Sequence, residues 1–99
     1  MKLINVKLVT IVALDSLAER IVQDIKQCGS KGYTISAVEG EGVHNKHFTD
    51  WEGRNVRIDT LVKPDVADAI LKIVSEKYFD KYSIIAYLTD AQVLRKERY

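Results

Sequence analysis

The chain has 99 residues, 46% of them hydrophobic, and its 15 Lys and Arg against 14 Asp and Glu leave a net charge of +1. That length makes one domain with a small core, and the charge balance excludes a dedicated nucleic-acid binder, which presents a basic face. A lone cysteine, Cys28, excludes an internal disulfide and suits a reducing cytoplasm, and no run nears the roughly 18 apolar residues of a membrane span.

Residues 3–12 read as a first strand, with Ile4, Val6, Leu8, Thr10 and Val12 on one face and Leu3, Val9 and Ile11 on the other. Both faces are largely apolar, so both are expected to be covered. Asn5 and Lys7 interrupt any secretory leader. A helix follows. Ser16 with Glu19 fits a capping box, Leu17, Ile21, Ile25 and Cys28 make a buried stripe, and Gly29 suits the left-handed residue that ends a helix. Residues 32–38 form a second strand, which Gly40 and Gly42 break. Residues 39–54 carry no periodicity, and a loop of that length in a small domain is usually functional.

The clearest strand spans 55–62, where Val56, Ile58, Thr60 and Val62 alternate with Asn55, Arg57, Asp59 and Leu61. Pro64 and Asp65 open a second helix, whose stripe of Val66, Ile70, Ile73, Val74 and Tyr78 runs to about Phe79. Residues 82–88 make a fourth strand, and residues 91–99 a short C-terminal strand with a charged tail. This order, β-α-β-β-α-β over a single domain of residues 1–99, gives an α+β fold. Right-handed crossovers make it the ferredoxin-like antiparallel sheet with two helices on one face. The other face is expected to expose Val9 and Ile11 with one set from Ile84, Ala86 and Leu88, and a second copy of the chain is the economical cover.

No catalytic set is visible: there is no nucleophile elbow and no complete P-loop. The loop Ala13-Leu14-Asp15 lacks the arginine of an acylphosphatase. The third strand lacks the stacking aromatics of an RNA-recognition motif. Gly40 and Gly42 either end a strand or let backbone amides approach an anion. In the loop, His44, His47 and Asp50 have a spacing that could hold a metal. Solvated side chains are the plain alternative, and Lys46 with two imidazoles also suits an anion. Trp51 is either a partner-facing anchor or folded onto its own domain. The basic tail from Arg95 is either solvated or a phosphate contact across a subunit boundary. Cys28, on the first helix's apolar stripe, reads as a small core residue.

The fold order, the Gly-x-Thr-x5-Gly-x-Gly spacing of Gly32, Thr34, Gly40 and Gly42, and the long loop after it jointly resemble the PII signalling superfamily. The resemblance covers essentially the whole chain. Lys31-Gly32-Tyr33-Thr34, Trp51-Glu52-Gly53, Val66-Ala67-Asp68, Tyr78-Phe79 and Val93-Leu94-Arg95 place it nearest the PII-like carbon-acquisition regulators, the SbtB and carboxysome-linked proteins. The resemblance implies a homotrimer, not an enzyme, that binds AMP, ADP, ATP or cyclic AMP between subunits, with bicarbonate as a further candidate ligand. It implies Thr34, Gly40, Glu41, Gly42, His44, Lys46, His47, Tyr87 and Arg95 at the nucleotide. Residues 39–54 would be the T-loop, with Phe48 and Trp51 facing a partner, either a membrane bicarbonate transporter or a carboxysome-associated protein. Nitrogen-sensing relatives carry a Gly-Asp-Gly-Lys phosphate loop, a loop glutamine for magnesium and 2-oxoglutarate, and a loop tyrosine for uridylylation; this chain has none of them. It also lacks the Cys-Gly-Pro-x-x-Cys tail of some members, and histidines stand at His44 and His47 where several relatives have arginines. The readings from other classes are a trimeric metal-binding protein of the copper-tolerance type, with His44, His47 and Asp50 as ligands, and a small nucleotide hydrolase.

Overall fold

A computed structural model describes residues 2–40 and 54–94. Four strands form one antiparallel sheet in the order β2-β3-β1-β4. They are β1 (Leu3–Leu14), β2 (Thr34–Val38), β3 (Asn55–Val62) and β4 (Ile85–Leu94). Helices α1 (Ala18–Gln27) and α2 (Pro64–Tyr78) pack together on one face, as the element order requires. The expected third strand is reproduced residue for residue, because Val56, Ile58, Thr60 and Val62 are all buried while their neighbours are half-exposed.

The register of β3 settles which face of β1 is the core. Ile11 lies opposite Ile58, Val9 opposite Thr60 and Ala13 opposite Val56. Val9 and Ile11 are therefore under the helices, fully buried with Leu17, Ile21 and Ile25 on one side and Ala67, Ile70 and Val74 on the other. The expectation that Val9 and Ile11 sit on the uncovered face is thus corrected, and Ala86 and Leu88 pair with them on the helix side. The open face carries Ile4, Leu8, Thr10 and Val12 with Ile85 and Tyr87. With apolar residues on both faces of β1, only its pairing with the strictly alternating β3 could decide between them.

Four further corrections are local. Ser16 and Glu19 form no capping box: a 3₁₀ turn, Asp15–Leu17, precedes α1, and neither it nor the helix has a side-chain cap. The Asp15 amide instead donates to the Arg54 carbonyl at 2.7 Å, tying the end of β1 to the start of β3. Second, β2 starts at Thr34 rather than residue 32, because the Gly32 carbonyl accepts from the Ser30 and Thr60 hydroxyls at 3.0 and 2.6 Å. Third, β4 starts at Ile85, since the amides of Lys81 and Tyr82 still donate to Tyr78 as the α2 turn unwinds. Fourth, no separate fifth strand exists among the described residues. Ala91–Leu94 continue β4, whose ladder with β1 runs unbroken from Val12↔Ile85 to Leu3↔Leu94.

The end of α1 follows expectation. Gly29 has φ +116°, its amide donates to Lys26 O at 3.0 Å, and the Ser30 amide donates to Ile25 O at 3.0 Å. This pair of bonds is a Schellman motif, and only glycine takes that backbone angle without strain.

Candidate functional site

The open face of the sheet holds a row of side chains set by register: Thr34 on β2, Asp59 on β3, Thr10 on β1 and Tyr87 on β4. Asp59 anchors it. The Thr10 hydroxyl donates to Asp59 Oδ1 at 2.6 Å and Arg57 Nε donates to Oδ2 at 2.9 Å. Thr10 is fully buried although it lies on the open face, so its hydroxyl needs that partner. Arg57 remains 42% exposed, and the bond to Asp59, then its charge, holds the guanidinium pKa above its ordinary value. The arrangement is an Arg57–Asp59 ion pair set among apolar and hydroxylic side chains. Alternation in β3 places Arg57 and Asp59 on this face, but nothing in the sequence singles out their pairing, which rests on residues two apart meeting a third from another strand.

Of the residues implied at a nucleotide, Thr34, Gly40 and Tyr87 are described, and all three are exposed. Thr34 and Tyr87 share the row but stand on opposite edge strands, three strand spacings or about 14 Å apart. A methyl group added at Gly40 would meet nothing within 4 Å, and its φ is not in the left-handed region, so the fold itself does not demand glycine there. Glu41, Gly42, His44, Lys46, His47, Phe48, Asp50, Trp51 and Arg95 lie outside the described residues. Among the described residues, no cluster of His, Cys, Asp or Glu could hold a metal.

A second polar group, unforeseen from sequence, lies between the helices. Asp24 is nearly fully buried; it accepts from the Tyr78 hydroxyl and from Lys77 Nζ, the latter at 2.7 Å. Burial, then the bond to Asp24, pushes the Tyr78 phenol from 10 up to about 12. Burial, then the same carboxylate, pushes the Cys28 thiol up; the residue is half-buried and packs against the edge of the core rather than within it. Asp24 lies three residues after Ile21 and four before Cys28; a carboxylate inside an apolar stripe was the available signal. Its partners are all satisfied, so the group is structural. A groove at the far end of the sheet, lined by Asn5, Lys7, Pro64, Asp90 and Gln92, contains none of the sequence-derived candidates. It is bridged by a Lys7–Asp90 ion pair and by Gln92 donating to Asn5 at 3.0 Å.

No helix among the described residues is long and apolar enough to cross a membrane. The Nitrogen regulatory protein P-II family model matches residues 6–98. A PII-like signalling protein of Thermus thermophilus is 45% identical, with a TM-score of 0.83 over 95% of this chain and 94% of that one. CPII of Thiomonas intermedia, bound to ADP, AMP and acetate, gives a TM-score of 0.81 at 24% identity, over 96% and 94% of the two chains. The same protein bound to ADP and bicarbonate gives 0.80 at 24% identity, over 95% and 93%. The last two establish likeness of fold. The match to P-II favours the signalling reading over the metal-binding one. A family model spanning nearly the whole chain, the shared sheet topology and a 45% identical relative lead to one assignment: this chain belongs to the P-II family.

Proposed function

We propose that this protein is a cytoplasmic, trimeric sensor of adenine nucleotides that acts by binding and not by catalysis. AMP, ADP, ATP and cyclic AMP are its candidate ligands, bound in clefts between subunits, with bicarbonate as a co-ligand to be tested beside them. The observation that carries the reading is the P-II match over residues 6–98. The ligands in the Thiomonas CPII structures, ADP, AMP and bicarbonate, support the ligand class. The exposed Thr34 and Tyr87 and the unfilled space at Gly40 are compatible with a ligand meeting these positions.

In this reading a nucleotide contacts Thr34, Gly40, Glu41, Gly42 and Tyr87, with His44, Lys46, His47 and Arg95 supplying positive charge to its phosphates. Residues 39–54 then act as the T-loop. A ligand that orders this loop lowers the entropy cost of its docking to a partner, so occupancy shifts partner affinity. The partner is a bicarbonate transporter or a carboxysome-associated protein, met through Phe48 and Trp51. Calorimetry with the four nucleotides, with and without bicarbonate, tests the ligand class; absence of binding by all four overturns it. Because imidazoles gain charge as pH falls through about 6.5, affinity is expected to rise from pH 8 to pH 6. The His44→Gln, His47→Gln double variant should lose that slope.

A further inference from the structure

We propose that Thr60 and Ser30 are positioning residues for the ligand site: their buried hydroxyls clamp the Gly32 carbonyl and so fix the start of β2, where Thr34 stands opposite Asp59. The inference rests on the nucleotide-binding reading above and adds to it two residues that touch no ligand.

Thr60 is the polar exception on its face of β3. Val56, Ile58 and Val62 share that face, and all three are buried beneath the helices, as is Thr60 itself. An apolar side chain of the same shape would pack there with no hydroxyl to desolvate, so the distinct contribution of Thr60 is its directed bond. That bond runs to Gly32 O at 2.6 Å. Ser30, also buried, completes a triangle: its Oγ lies 2.6 Å from Thr60 Oγ1 and 3.0 Å from Gly32 O. With Thr60 donating to the carbonyl, the Ser30 proton serves either Thr60 or the same carbonyl, and both hydroxyls are satisfied.

The clamp sits where the ladder stops. The β2–β3 register ends at Thr34↔Asp59, and Gly32 lies two residues before it. Ser30 is itself fixed, because its amide donates to Ile25 O at the end of α1. The approach to β2 is therefore referenced to both α1 and β3. β2 lies at the edge of the sheet, paired on one side within the chain, and the end of such a strand opens most readily unless it is tied down. Thr34 faces the row in which Thr10 and Arg57 already hold Asp59. A ligand that meets Thr34 needs it at one place relative to that row. A clamp that keeps it there in the free protein removes this ordering cost from binding.

The test measures ADP and AMP affinity by calorimetry, beside amide exchange along β2, in Thr60→Val, Ser30→Ala, the two together, and Thr60→Ser. Ser30→Ala should stay near wild type, because Thr60 still donates to the carbonyl. Thr60→Val should lose little, because Ser30 can turn to Gly32 O. The double variant should bind about fivefold more weakly, the equivalent of one neutral hydrogen bond lost from the binding-competent conformation. That loss should exceed the sum of the single losses, and exchange should quicken at Tyr33 and Thr34 more than along the rest of β2. Thr60→Ser should keep wild-type affinity and exchange. Val62→Ala, buried on the same face of β3, is the control: it should lower stability and leave affinity unchanged. Wild-type affinity in the double variant, unchanged exchange at Tyr33 and Thr34, or an equal loss in Val62→Ala would overturn the proposal. If the double variant fails to fold, Thr60→Val decides by the same two readings: a change in neither overturns the proposal. A wild type that binds no adenine nucleotide, with exchange at Thr34 still answering to the clamp, would refute the nucleotide reading and leave the clamp on Thr34 standing.

Discussion

The Tyr78–Asp24 bond gives the most direct test of the packing between the helices. Tyr78→Phe removes the hydroxyl and leaves the ring in the core, so the perturbation is confined to one hydrogen bond. Lys77 still reaches Asp24 at 2.7 Å, so the carboxylate is not left alone. A hydrogen bond to a charged group contributes about 1.5–3 kcal/mol, which sets the expected loss at neutral pH. The phenol's own titration is coupled to folding, chiefly through burial and then through the bond to Asp24. Its pKa rises from 10 to about 12 on folding, and a shift of that size corresponds to about 2–3 kcal/mol by linkage. The sign follows from the raised value: the stabilisation is fully present below pH 10 and is lost as pH rises from 10 towards about 12. Urea unfolding of both proteins at fixed concentration from pH 8 to 12 is the assay. The gap between them should be widest at pH 8 and shrink towards zero at the alkaline end. A gap that stays constant with pH would refute the coupling of this phenol to folding.

Two further predictions concern the frame. Gly29→Ala forces a residue with a Cβ into φ +116° and places that atom 3.2 Å from Val66 Cγ2; a loss of about 1–3 kcal/mol in chemical unfolding is expected. Asp90→Asn breaks the Lys7 ion pair, but Asp90 is 87% exposed, so the change should stay within about 1 kcal/mol and vanish in high salt when thermal unfolding is followed.

Sequence patterns carry most of the fold because hydrophobic periodicity and helix punctuation are local. The alternation of Val56, Ile58, Thr60 and Val62 defines β3, the Leu17-Ile21-Ile25 stripe defines the buried side of α1, and Gly29 marks its end. Errors arise where a second strand decides. Periodicity alone puts Val9 and Ile11 on the wrong face because β1 is apolar on both, and only the pairing Ile11↔Ile58 distinguishes them. Thr89 and Asp90 suggest a break between a fourth and a fifth strand, yet their positions opposite Leu8 and Lys7 carry the ladder through. The Ser16 cap fails because a 3₁₀ turn, Asp15–Leu17, takes up the expected cap position and α1 starts only at Ala18. For the site, resemblance names single positions such as Thr34 and Tyr87, but not the Arg57–Asp59–Thr10 contact that joins two strands between them. Contacts of that kind depend on register and are legible only once the strands are paired.

The same geometry separates residues that hold the fold from residues free to serve a ligand. β1 and β3, in the middle of the sheet, supply the buried residues beneath the helices, whereas every residue of β2 is exposed or half-buried. The described nucleotide candidates Thr34 and Gly40 lie on or just beyond that edge strand. A methyl group at Gly40 enters open space, and Thr34 is exposed. Thr34→Ala and Gly40→Ala are therefore expected to change the unfolding free energy of one chain by no more than about 0.5 kcal/mol. Ile58→Ala, in the core opposite Ile11, should cost about 2–5 kcal/mol. If Thr34 and Gly40 meet the nucleotide, the first two variants lose affinity at unchanged stability, as read by calorimetry beside urea unfolding. Affinity equal to that of the wild type in both would remove both positions from the site. A large stability loss in either would show that the edge is part of the fold's own support, and the separation between frame and site would fail.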